Sequence, residues 1–149
     1  MSDYVIKLIP RQPEFTPSLS ELKEAELFIQ TITEYFSDIQ VILTDEVRFI
    51  DQGENCESIS CQFCHNGLSV DWWQDAMAEA YTSQFNNLQV IVPCCKKESS
   101  LNDLHYKWNA GFARFSIEFY NPIAADFDTI STKLEEVLSC KFRKVLAYY

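Results

Sequence analysis

Two groups of thiols carry the chemistry this chain can do. The first is C-Q-F-C-H, Cys61 to His65, and the second is P-C-C-K, Pro93 to Lys96. Thiolates suit a borderline-soft cation such as zinc, and four of them at tetrahedral angles close a structural site. Two residues between Cys61 and Cys64 let one tight turn aim both sulfurs at a single point. Cys94 and Cys95 are adjacent, and adjacent side chains in an extended strand point to opposite faces. Both reach one metal only if Pro93 and Lys96 flank a bend that turns them together. The expected ligands are therefore Cys61, Cys64, Cys94 and Cys95. A three-thiol set completed by His65 or His105, the only two histidines, is the alternative. A glycine commonly follows each such turn, and His65 and Lys96 stand in its place here. The competing reading is a relic site whose thiols are simply buried, since free cysteine behaves as a small hydrophobe. Cys56 and Cys140 fit that reading best.

An open site would be the catalytic variant. Cys61, Cys64 and Cys95 would hold zinc, water would take the fourth position, and Glu98 or His105 would move protons. Closed sites are the commoner outcome of cysteine-rich ligation, so no enzyme is expected. No Ser-His-Asp or Cys-His arrangement can be read from the spacing of the histidines. Only three glycines occur, at 53, 67 and 111, too few for a phosphate cradle or a dinucleotide turn. Trp72, Trp73 and Trp108, with Tyr106, Phe112 and Phe115, make an aromatic-dense zone. Such a zone either packs the middle of the chain onto the rest or anchors a partner through its tryptophans.

Charge narrows the partners. The net charge is −10, and residues 1–60 carry twelve acids against four bases, whereas residues 101–149 carry six of each. An acidic body repels a phosphate backbone, so nucleic acid is not an expected partner. It suits a basic protein partner, or serves only to keep the chain in solution. Met1 to Pro10 lacks the basic segment and apolar stretch of a signal peptide. No apolar run approaches the roughly 20 residues of a membrane span. The expected location is the cytoplasm, where six cysteines read as reduced thiols or metal ligands rather than disulfides.

The positioning elements follow from periodicity. Residues 4–9 (Y-V-I-K-L-I) read as a strand stopped by Pro10. Ser18 and Glu21 form a capping box for a helix to about Tyr35, with Leu22, Ala25, Ile29, Ile32 and Phe36 on one face. Ile39 to Ile50 has strand composition, with Thr44 to Glu46 as a kink. Ala113 to Tyr120 alternates apolar and polar until Asn121-Pro122. Asp126 caps a helix bearing Phe127, Ile130, Leu134, Val137 and Leu138 on one side, and Lys141 to Tyr149 closes as a strand. Between the halves, Ser69 or Asp71 caps a helix from Trp72 to about Phe85, with Trp73, Met77, Ala80 and Tyr81 on one stripe. Leu88 to Val92 is a strand entering the second thiol pair.

Strand–helix–strand at both ends predicts an α+β chain, 1–149, folded as a ferredoxin-like split βαβ sandwich. Residues 51–108 form a zinc-ribbon-like insertion within it, a helix replacing the usual short loop. The stretch C-Q-F-C-H-N-G, D-W-W-Q-D-A-M, P-C-C-K and S-L-N-D-L-H-Y-K-W-N-A-G-F-A-R-F resembles a group of uncharacterised bacterial proteins sharing C-P-x-C-G, D-W-W, P-C-C-G and S-L-N-D-L. The resemblance covers about residues 61–119. It implies a zinc-ribbon-like element and brings no activity with it. The chain departs from that pattern at both glycines, which bears on whether zinc is retained. The function expected is a non-enzymatic, cytosolic protein-binding module, in one version an immunity- or inhibitor-type protein masking a basic toxin surface. The small zinc enzyme is the opposing class.

Overall fold

The computed structural model describes residues 3–149. Its main sheet has four antiparallel strands: β1 (Tyr4–Pro10), β2 (Asp38–Ile50), β7 (Gly111–Tyr120) and β8 (Phe142–Tyr148). They lie in the order β2-β7-β1-β8. Helix α1 (Leu19–Gln30) joins β1 to β2, and α3 (Phe127–Leu138) joins β7 to β8. Both helices cover the same face. There, Ile6 and Leu8 of β1 and Phe115, Ile117 and Phe119 of β7 pack with Ala25 and Ile29 of α1 and Ile130, Leu134 and Leu138 of α3. The alternation of β7 and the three-and-four spacing of the helices meet here, as the periodicities require. The chain is a mixed α+β protein.

Local signals set the helix starts. The Ser18 hydroxyl accepts from the Glu21 N–H, and the Glu21 carboxylate accepts from the Ser18 N–H, a complete capping box. Asp126 accepts from the Thr129 N–H and caps α3. The first helix ends earlier than its apolar spacing suggests: α1 stops at Gln30, and a 3-10 turn covers Thr33–Tyr35. Ile32 and Phe36 still enter the core from these turns, because burial constrains where a side chain goes, not whether its backbone is helical.

The other face of the sheet is crossed by the chain leaving β2. The buried Lys7 ammonium donates to the Asp51 carbonyl at 3.0 Å and to the Tyr149 hydroxyl at 2.6 Å. Tyr149 in turn donates to the Asp51 carboxylate at 2.7 Å. Gly53, at φ 60°, then bridges to Tyr148, and the Glu54 N–H bonds its carbonyl at 2.8 Å. This covers the Tyr148 end of the outer edge of β8, which would otherwise offer free donors and acceptors.

Residues between β2 and β7 build a second core. It contains the short strands β3 (Ile59–Ser60), β4 (Gln89–Ile91), β5 (Glu98–Ser100) and β6 (His105–Tyr106), together with helix α2 (Val70–Tyr81). β3 pairs with β6 and β4 with β5, all antiparallel. Ile59, Cys61, Leu68, Ala80, Val92, Leu101, Leu104 and Tyr106 pack here against Val47 and Phe112. The ribbon of β2 and β7 makes this possible. Its pairing continues past a register shift between Leu43 and Arg48 to Ile50 and Gly111, whereas β1 pairs with β7 only over residues 117–120. The overhanging end of the ribbon is the platform for the middle of the chain. No helix among the described residues is long and apolar enough to cross a membrane.

Candidate metal centre

The two thiol turns are built alike. In the first, the Cys61 N–H donates to the Asn66 carbonyl at 2.9 Å and the His65 N–H to the Cys61 carbonyl at 3.0 Å. In the second, the Val92 N–H donates to the Lys97 carbonyl at 3.1 Å and the Lys96 N–H to the Val92 carbonyl at 3.0 Å. His65 and Lys96 both sit in the left-handed region, at φ 63° and 62°. That is the conformation glycine adopts without cost, which is why glycine is expected there. Superposing the turns in sequence aligns Val92 with Cys61, Cys94 with Phe63 and Cys95 with Cys64. The bend required of Pro93 to Lys96 is present, and it brings the adjacent thiols to one side.

All four sulfurs, Cys61, Cys64, Cys94 and Cys95, lie within 4.8 Å of one another. Cys61 and Cys95 are 3.8 Å apart, and Cys64 and Cys94 are 3.2 Å apart. A zinc–thiolate tetrahedron with bonds of about 2.3 Å has edges near ~3.8 Å. The first distance fits that edge, and the second is about 0.6 Å shorter. The donor set therefore suits a metal ion. Two further contacts hold the turns together: the Ser99 hydroxyl reaches Gln62 Oε1 at 3.1 Å, and the Lys97 ammonium lies 5.2 Å from the Phe63 ring centre.

Electrostatics within the cluster single out one sulfur. Burial raises the Cys61 thiol, but N–H groups of Cys64 and Phe63 and the neighbouring thiols outweigh it and bring it down to about 6. Cys94 is pushed up to about 12, first by desolvation within the cluster and then by the sulfurs around it. One thiolate disfavours a second beside it, so without a cation the cluster shares protons. A divalent cation reverses that preference and holds all four as thiolates.

Neither histidine joins the cluster. His65 is exposed at the tip of the first turn, and His105 is exposed on β6, opposite Ser60. Glu98 opens β5 and is exposed. Of the remaining cysteines, Cys140 is half-buried, whereas Cys56 is exposed and so is not the buried thiol its apolar character suggests. It belongs to the segment that skirts the sheet edge, where no core covers it.

The tryptophans are shared between packing and surface. The Trp73 indole N–H donates to the Tyr106 hydroxyl at 3.2 Å, and its ring meets Phe49 and Tyr106 edge-on. The Tyr106 hydroxyl donates to the Leu101 carbonyl at 2.7 Å, and burial pushes that hydroxyl up to about 12. Trp72 is half-buried beside the second core, and Trp108 donates to Glu57 at 3.3 Å near the surface. Ser69, not Asp71, caps α2 through the Trp72 N–H. Tyr81, placed by periodicity on the packed stripe, is 68% exposed because the helix ends there.

Asn102 is the contributor that spacing alone did not reveal. Its side-chain oxygen accepts from the Phe112 N–H at 3.0 Å and from Arg143 Nη1 at 3.2 Å, while its amide reaches the Arg11 carbonyl at 3.3 Å. Arg143 Nη1 also donates to the Asn102 and Ala110 carbonyls. One buried asparagine of the S-L-N-D-L stretch thus ties the middle of the chain to the ends of β1, β7 and β8. Its place between Leu101 and Leu104, both buried, is the one sequence signal for such a role.

Fold and site together define an α+β protein with a four-cysteine cluster suited to a metal ion. Compared with known proteins, the chain matches no family model, no curated protein and no solved structure.

Proposed function

We propose that the chain is a non-enzymatic protein-binding module in which one zinc, held by Cys61, Cys64, Cys94 and Cys95, fixes a ribbon-like insertion, residues 51–108, onto a ferredoxin-like sandwich. The observation that carries this reading is the convergence of four sulfurs from two turns that share one hydrogen-bond pattern. Four thiolates leave no position for water, and a site closed in this way holds structure rather than activating a nucleophile. The strand order β2-β7-β1-β8 with both helices on one face supports the sandwich assignment.

The acidic balance, −10 overall with twelve acids among the first sixty residues, favours a basic partner in the cytosol. An immunity- or inhibitor-type role against a basic protein surface is the concrete form of this reading. The zinc enzyme is the weaker alternative, because Cys94 gathers with the other three sulfurs where that reading needs an open position. The first test is metal content of protein prepared without added zinc. About one zinc per chain is expected in the parent and much less in Cys64→Ser, and metal-free, folded parent protein would refute the metal assignment. The second is capture of basic proteins at low and high salt. Recovery should fall as salt rises, and equal recovery would argue against an electrostatic interface.

A further inference from the structure

A groove of about 640 Å³ runs between α2 and β4. Trp72, Ala76 and Ala80 of the helix and Val90 of the strand give it an apolar floor. Asp75, Glu79 and Glu98 rim it, and no lysine or arginine lines it. β4 is hydrogen-bonded on one side only, to β5. The Leu101 N–H bonds the Leu88 carbonyl at 2.8 Å and the Val92 N–H bonds the Lys97 carbonyl at 3.1 Å. With the register Val90 to Ser99, these bonds make Leu88, Val90 and Val92 the residues that pair with β5. In an antiparallel ladder the residues between them turn their main-chain groups the other way. The Gln89 N–H is taken by Asn87 Oδ1 at 3.1 Å. The Gln89 carbonyl and both main-chain groups of Ile91 remain free at the edge, and Ile91 is 59% exposed. The outer edge of β8 is covered at Tyr148 by Gly53 and Glu54 and at its Leu146 and Lys144 carbonyls by the Asn55 and Asn109 amides, and β2 is interrupted by its register shift. β4 has neither protection.

We propose that this edge receives an extended segment of a basic protein partner, which adds a strand alongside β4 and sets alternate apolar side chains on the floor formed by Trp72, Ala76 and Ala80. Main-chain bonding to a sheet edge gives such a complex its affinity, and side-chain pockets give it its preference. Charge selects the occupant. Three carboxylates without a cation attract lysine or arginine at the outward positions. They repel an acidic strand, including one from a second copy of a chain that carries −10. The inference rests on the binding-module reading and names the surface that reading lacks.

The test titrates the zinc-loaded chain, residues 1–149, with a short blocked peptide of alternating lysine and valine, followed by amide and indole chemical shifts. Two control peptides accompany it: one N-methylated along a single edge, and one with glutamate in place of lysine. The expected result is shifts centred on Gln89, Ile91 and the Trp72 indole, with binding at least about tenfold tighter than for either control, ~1.4 kcal/mol. Replacing the rim with Asp75→Lys and Glu79→Lys should weaken the parent peptide by a similar factor. Should that variant misfold, the N-methylated peptide decides, because it leaves the protein untouched. Equal binding of the N-methylated peptide, or no binding at all, overturns the edge. Binding that maps to residues 3–60 overturns the edge while leaving the binding-module reading in place.

Discussion

Asn102 shows how one side chain joins two cores. It serves the Phe112 N–H and Arg143 from a buried position, with three strands converging on it. Asn102→Ala would strand a buried N–H and part of a guanidinium that burial already disfavours. The expected loss is about 1–3 kcal/mol, seen as a lower urea midpoint with unchanged slope. An unchanged midpoint would mean that water or a shifted Arg143 replaces the amide. Among the sulfurs the division is similarly uneven. Cys61 is buried and carries the lowered thiol, whereas Cys64 and Cys94 are exposed. Cys64→Ser therefore removes a thiol of the cluster with little disturbance to packing.

At the level of the turn, two non-glycine residues occupy a left-handed backbone. For an L-residue that conformation costs about 1–2 kcal/mol, part of which glycine returns through its greater freedom in the unfolded chain. His65→Gly and Lys96→Gly should each raise stability by about 0.5–1 kcal/mol, read from urea unfolding of the zinc-loaded protein. Destabilisation by either substitution would show that the side chain contributes more than its backbone strain costs. The same element explains how neighbouring cysteines converge. Cys94 takes the place of Phe63 and Cys95 that of Cys64, so the turn replaces the strand geometry that would have sent them apart. The helices were more legible than the turns, since a capping box and a three-and-four repeat are local signals. Where α1 stops is not local: Ile32 and Phe36 reach the core from outside the helix because the sheet demands them there.

Across the molecule, two cores meet at the overhanging end of the β2–β7 ribbon. One is sealed by α1 and α3, and the other by α2 and the small strands around the cysteines. If a metal fixes only the second, its removal should loosen that half alone. Hydrogen exchange after treatment with a strong chelator should rise at Val90, Val92 and Leu101, while Leu8, Ile117 and Phe119 keep their protection. Uniform loss of protection would show that the cores unfold as one unit.

Local chemistry was enough to mark both strand–helix–strand ends, the helix caps and the thiols worth watching, because apolar repeats and side-chain caps act within a few residues of themselves. Distance along the chain hid the rest. That Cys61 and Cys95 lie 3.8 Å apart, that Asn102 reaches Arg143, and that β4 keeps a free edge beside three carboxylates all depend on where separate segments come to rest. Packing against a shared ribbon decides those positions, and no spacing within one segment records them.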